Sequence, residues 1–206
     1  MADIKNNTQH EFLLSEYEQM FTEKRHTDGR FMYLVSLYFT IITISVSVFA
    51  AVYKPEGEQD KSTVFIFACV FMLVALFGMI IFSAMCFNRV NNVRAIRQIN
   101  HIRKQYLDSF PDEHRPFIRN YIMIIDANRP RYHMLDSTHL VFIYSIAIFS
   151  SISMGVSFYL YPLLQVLTGN LTDTMPAIAI ILSFLIQYLL LRWKLIKKDN
   201  EQGIGS

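Results

Sequence analysis

Long apolar runs without a charged side chain alternate with crowded polar stretches along this chain. The clearest run covers 64–87 and reads VFIFACVFMLVALFGMIIFSAMCF, and three others cover 31–53, 140–167 and 177–191. At a rise of about 1.5 Å per residue, a helix of about 20 apolar residues crosses a hydrocarbon core of roughly 30 Å. The pattern therefore predicts an all-α, polytopic membrane protein with four transmembrane helices.

The second apolar run continues into a basic stretch, NRVNNVRAIRQINHIRKQYLD, that contains no Pro or Gly. Because no helix-stopping residue intervenes, we expect a single helix that leaves the membrane near Asn88 and extends into the cytoplasm. Helical spacing places apolar side chains on one side of this extension. The opposite side carries the basic residues Arg94, Arg97, His101 and Lys104.

The first 30 residues also show helical spacing, with acidic side chains between apolar ones over 12–21. They predict an amphipathic helix that lies on the membrane or against the basic extension, or that leads directly into the first span. The predicted organisation begins with a cytoplasmic N-terminal helix over 1–30, followed by spans over 31–53 and 64–87 that an external turn over 54–63 joins. A cytoplasmic basic helical region over 88–139 comes next. Two further spans, over 140–167 and 177–195, are joined by an external loop over 168–176, and a cytoplasmic tail over 196–206 ends the chain.

The positive charges fix the expected orientation. The chain has 19 Lys and Arg residues, and only Lys54 and Lys61 lie in the two predicted external segments. Positive residues accumulate on the cytoplasmic side of short membrane-flanking segments, so both termini should be cytoplasmic and the protein should reside in the inner (plasma) membrane. The mean hydropathy of +0.28 and the charged fraction of 17% agree with this class.

Small and hydroxyl side chains recur at helical spacing inside the spans. In the first span they form a stripe that should face protein or water rather than lipid tails, either as a helix-packing surface or as the lining of a hydrated pore: Ser36, Thr40, Thr43 and Ser47. In the third span, close helix packing is predicted at Ala147, Ser151 and Gly155. Further polar or small positions are Ser150, Ser153, Ser157, Ser183, Gln187, Ala68, Ala75 and Gly78.

No nucleotide-binding loop, nucleophile elbow or zinc-protease motif occurs in the sequence, and no catalytic residue, cofactor or metal site is predicted. His133, Asp136 and His139 lie three apart but lack the further ligands of a strong metal site, so we expect them to be interfacial polar residues. The spacing of Arg94 and His101 loosely matches certain helical ribonucleases. A membrane-tethered nuclease is therefore a third alternative, and we expect a protein that is not an enzyme.

The order of a polar helix (SEYEQMFTEKRHTDGRF), an apolar hairpin and a basic helix (RVNNVRAIRQINHIRKQYLD) over 15–107 resembles small prokaryotic membrane proteins of the SLATT type and RipA-like oligomeric proteins. The resemblance implies an oligomeric membrane effector of a prokaryotic defence system that acts by forming a pore. The present chain adds a second apolar hairpin to their two-span plan.

Two functions are therefore expected, both in contact with the lipid bilayer. The first is a homo-oligomeric, pore-forming or signal-gated effector. The alternative is an anchor or scaffold whose basic extension recruits a soluble cytoplasmic partner. The same basic side chains would also suit a nucleotide or nucleic-acid signal, or anionic lipid headgroups.

Overall fold

Four long helices make up almost all of the described chain. The computed structural model describes the backbone of residues 2–52, 61–108, 138–161 and 174–201, and the side chains of 11–52, 61–108, 138–161 and 174–197. These residues form α1 (Ala2–Val52), α2 (Lys61–Asp108), α3 (Thr138–Leu160) and α4 (Met175–Glu201). Each helix contains a segment that is long and apolar enough to cross a membrane. The predicted all-helical fold with four helices of spanning length is confirmed for these residues.

Helix α1 runs without interruption through 51 residues, so the N-terminal segment leads directly into the first apolar segment, as in one of the arrangements expected from the sequence. No proline occurs between Phe21 and Phe31. Within this stretch Lys24 Nζ lies 2.7 Å from Asp28 Oδ2, and Thr27 Oγ1 donates to the Glu23 carbonyl at 2.9 Å. These contacts each span one helical turn, in the stretch where the polar part of α1 meets its apolar part.

The other helices keep to the predicted spans with shifted ends. Helix α2 continues from its apolar half to Asp108, as the lack of Pro and Gly predicts. Helix α3 ends at Leu160, and residues 162–167 of the predicted third span lie outside the described residues. Helix α4 begins two residues before the predicted boundary, with Pro176 in its first turn, where a missing N–H costs little.

Several predicted segments lie wholly or largely outside the described residues. They are 54–60 of the external turn, 109–137 of the basic region, 168–173 of the external loop and 202–206 of the tail. His133 and Asp136 of the histidine pattern are among them.

The chain divides into two compact units. One comprises Met1–Phe31, Phe87–Met134 and Leu195–Ser206, and the other comprises Met32–Cys86 and Leu135–Lys194. The second unit holds the apolar segments of all four helices, so it is called the apolar unit below. The first holds the polar start of α1 and the basic end of α2, and is called the polar unit.

Aromatic side chains pack the helices of the apolar unit against one another. Phe49 of α1 meets Phe67 and Phe71 of α2 edge-on, with ring centroids 5.1 and 5.6 Å apart. Phe39 of α1 meets Phe149 of α3 in the same way at 5.3 Å. In the most apolar 18-residue segment of each helix, 50% of the residues are buried in α3 but only 11% in α1. Helix α3 is therefore the central helix, and α1 exposes most of its apolar segment.

Candidate functional site

A hydrogen-bonded polar cluster joins α3 to α4 inside the apolar unit. Ser151 Oγ donates to Ser183 Oγ at 3.3 Å, and Gln187 Nε2 donates to Ser151 Oγ at 3.2 Å. Ser150 Oγ donates to Gln187 Oε1 at 3.1 Å. All four side chains are buried. Buried polar groups are stable only when they are paired, so this cluster favours a single register between the two helices.

The predicted small positions of α3 all lie on its buried face. Ala147 and Ser151 are 1% exposed. At Gly155, a methyl group would overlap the side chain of Ile180 and lie 3.1 Å from the Pro176 carbonyl oxygen. Here the side chain of Ile180 and the backbone of α4 pack directly against Gly155, a close approach of the kind that small residues permit in membranes. On its other side α3 is bound to α2, because Ser157 Oγ donates to the Ala68 carbonyl at 2.7 Å.

The closest approach of α1, α2 and α3 occurs around Gly78. The ring of Tyr38 lies against it, and an added Cβ on Gly78 would lie 2.5 Å from Tyr38 Oη and 2.6 Å from Ser150 Cβ. Tyr38 is fully buried, and its hydroxyl has no hydrogen-bond partner among the described residues. The side chains of Tyr38 and Ser150 thus pack closely against Gly78.

Gln187 should make a measurable but modest contribution to stability. We expect Gln187→Leu to lower the free energy of unfolding by about 1 kcal/mol, because interhelical hydrogen bonds in membrane proteins contribute about 0.6 kcal/mol on average and Gln187 makes several. Unfolding in mixed detergent micelles measures it. Ser145→Ala is the matched control, since that hydroxyl bonds only to the Val141 carbonyl of its own helix. An equal loss in both variants would contradict the prediction.

The hydroxyl stripe of the first span lies outside the helix packing. All four residues, Ser36, Thr40, Thr43 and Ser47, are exposed on α1. Thr40 Oγ1 donates to the Ser36 carbonyl and Thr43 Oγ1 to the Phe39 carbonyl, each at 2.8 Å. The stripe therefore does not pack against another helix of the same chain within the described residues, and both expectations for it stay predictions. The Thr40 and Thr43 donors are satisfied by their own helix.

The basic residues of the α2 extension are not all exposed on one face. Arg94, His101 and Lys104 are exposed, whereas Arg97 is only 6% exposed. The predicted four-residue face is wrong at Arg97, because the buried side of α2 reaches that far around the helix. The buried polar residues on that side recur at helical spacing, and they are Arg89, Asn92, Arg97 and Asn100. In the sequence, the signal for this polar interior is the pair Asn92 and Asn100.

Two side-chain contacts fix how α1 and α2 run past each other in the polar unit. Asp28 accepts a hydrogen bond from Asn92 Nδ2 and also pairs with Lys24. Arg103 Nη2 donates to Tyr17 Oη at 3.1 Å, with the guanidinium 5.6 Å from the centre of the Tyr17 ring. Eleven residues separate Asp28 from Tyr17, and eleven separate Asn92 from Arg103. The helices are therefore antiparallel and in constant register over this length.

Each of these helices leaves one charged face uncovered. On α1 a shallow groove of about 600 Å³ is lined by Ser15, Glu18, Gln19, Thr22, Glu23 and His26. On α2 the exposed face is formed by Arg94, Gln98, His101, Lys104 and Gln105. These are called the acidic face and the basic face below. Within the described part of the chain, neither face takes part in an ion pair.

The described residues contain no group of three His, Cys, Asp or Glu side chains that could hold a metal ion. No protein family, curated protein or solved structure matches the chain. The resemblance to SLATT-type and RipA-like proteins therefore stays a prediction from the sequence pattern. The nuclease alternative rests on the spacing of Arg94 and His101 alone.

Proposed function

We propose that this protein is a multi-pass plasma-membrane protein whose copies assemble and enclose a pore lined by α1. The observation that carries the proposal is the exposed hydroxyl stripe at Ser36, Thr40, Thr43 and Ser47 on a helix of spanning length. The Thr40 and Thr43 hydroxyls donate to their own helix, and their oxygens still accept hydrogen bonds from water. Such a surface is stable in lipid and can also line a hydrated path.

A path through the interior of one chain has less support. The buried hydroxyls and amide of α3 and α4 are bonded to one another. Around Gly78 the side chains of Tyr38 and Ser150 already lie closer than an added methyl group would allow. We therefore propose that the conducting path runs between copies, where α1 leaves most of its apolar segment uncovered.

The distribution of charge supports a cytoplasmic location for the polar unit and for both termini. Helix α2 continues from its apolar half into the basic face without a break. A signal that binds to the polar unit would thus act on a helix that also packs within the apolar unit, as a gated effector requires.

Dye release from liposomes and single-channel recording test this function. The full chain is reconstituted in vesicles of phosphatidylcholine and phosphatidylglycerol, and we expect leakage and discrete conductance steps. Thr40→Val with Thr43→Val keeps the side-chain shape and removes both hydroxyls, and it should reduce conductance at least about tenfold, because an apolar constriction disfavours water.

Ser45→Ala is the matched control for these variants. Ser45 lies on the same helix and donates to the Ile41 carbonyl at 2.9 Å, but it is outside the stripe. Its conductance should equal that of the unchanged protein. Vesicles that stay sealed with the unchanged protein, or a double valine variant that conducts as well as the control, would overturn the proposal.

A second function, recruitment of an acidic soluble partner, is favoured by one observation. Arg94, His101 and Lys104 remain exposed on α2. The partner would then occupy the basic face while the four helices serve as an anchor. The charge-reversal experiment below separates this function from assembly between copies.

A further inference from the structure

The polar unit exposes two faces of opposite charge on different helices. The acidic face of α1 includes Glu18 and Glu23, and the basic face of α2 includes Arg94 and Lys104. None of these four side chains forms an ion pair within the described residues. The polar unit thus carries two uncompensated faces that would attract each other if they met.

The two faces lie at the same height along the helix pair. The contacts of Asp28 with Asn92 and of Tyr17 with Arg103 place α1 and α2 in one antiparallel register. In that register Arg94 is level with residue 26 of α1, and Gln105 is level with residue 15. The basic face over 94–105 therefore spans the same height as the acidic face over 15–26, a length of about 16 Å at helical rise.

Copies in one membrane share their orientation and their depth. This step rests on the proposed function, because it requires that the apolar unit be inserted in lipid. Two such copies can meet side by side only with equal heights facing each other. The acidic face of one copy can then lie opposite the basic face of the next with no shift along the helix axes.

We infer that the acidic face of one copy binds the basic face of its neighbour, so that Glu18 and Glu23 pair with Lys104 and Arg94. By height, Glu18 is two residues from Lys104, and Glu23 is one helical turn from Arg94. These offsets, about 3 to 5 Å, are within the reach of Lys and Arg side chains. The contact joins two different faces, so it repeats from copy to copy and closes into a ring when the rotation permits.

A second copy explains more than an acidic soluble partner does. A soluble partner would account for the basic face but would leave the acidic face without a role. A second copy accounts for both faces and for their equal height.

Charge reversal on the full-length protein in detergent tests the contact by light-scattering mass. Glu18→Lys with Glu23→Lys, and separately Arg94→Glu with Lys104→Glu, should each abolish the oligomer, because like charges then face each other. Combining all four substitutions in one chain should restore it. Glu16→Lys is the control, since Glu16 lies outside the groove, and it should assemble normally.

The inference is overturned if the unchanged protein is monomeric, if either double variant assembles normally, or if the fourfold variant does not regain the oligomer. A loss confined to Arg94→Glu with Lys104→Glu would instead assign the basic face to a lipid or an acidic partner. Conductance of the same samples separates the two proposals. An oligomer that depends on these charges but does not conduct would remove the pore and keep the contact.

Discussion

Replacing Gly78 by alanine should lower the free energy of unfolding by about 1 to 3 kcal/mol, the usual cost of adding a methyl group to a filled interior. The new Cβ would lie 2.5 Å from Tyr38 Oη and 2.6 Å from Ser150 Cβ. Ser150 is held on a buried helix, so α2 and α3 must separate or Tyr38 must move. Unfolding in mixed detergent micelles, followed by circular dichroism, measures the loss.

Two further variants make this prediction specific to the contact. Tyr38→Phe removes a buried hydroxyl that has no hydrogen-bond partner among the described residues, so it should be neutral or stabilising. Combined with Gly78→Ala it should recover part of the loss. Gly29→Ala is the control, because nothing lies within 4 Å of the added methyl, and it should stabilise α1 by about 0.5 to 1 kcal/mol. A Gly78→Ala variant as stable as the control would contradict the packing around Gly78.

Replacing Asp28 by alanine should lower the free energy of unfolding by about 1 to 3 kcal/mol. Asp28 accepts a hydrogen bond from Asn92, and Asn92 is only 2% exposed. Without the carboxylate, the buried amide of Asn92 loses this partner. The same unfolding assay measures the effect, and hydrogen exchange over 11–30 should show faster opening of the polar part of α1.

Lys24→Ala is the matched control for Asp28. This variant breaks the ion pair between Lys24 and Asp28, whose charged atoms lie 2.7 Å apart, but both side chains of the pair are about one-third exposed. Exposed ion pairs of this kind contribute about 0 to 1 kcal/mol, so the loss should be small. If Lys24→Ala proved as costly as Asp28→Ala, the exposed ion pair rather than the bond to Asn92 would be the source of stability.

The sequence predicted the number and type of helices because lipid imposes a strict rule. A backbone in hydrocarbon must satisfy its own hydrogen bonds, and only long apolar helices do so without partners. Runs such as 64–87 can therefore be recognised as helices of spanning length from their length and composition. The continuity of α1 was less accessible. It agrees with the absence of a proline over 21–31, which the apolar pattern does not show.

The contacts of the candidate site were only partly predictable, and the reason is the same for the apolar unit and for the polar unit. Spacing placed Ser183 and Gln187 on one side of the fourth helix, but their pairing with Ser151 depends on the register between two helices. Likewise Arg94 and Arg97 share a helical face by spacing, and the structure buries only Arg97. Periodicity describes one helix at a time, whereas burial is decided by its neighbours.

The unbroken course of α2 also limits how this protein can change in length during evolution. Adding or deleting one residue between Cys86 and Asn92 would turn everything beyond it by about 100° around the helix axis. Asn92 would then miss Asp28, and the arginine that is now enclosed would face outward. Seven residues complete about two turns and restore nearly the same direction. Seven residues also advance the helix by about 10 Å, so Asn92 reaches Asp28 again only if α1 changes by the same length. Homologous chains should therefore change length here in both helices together.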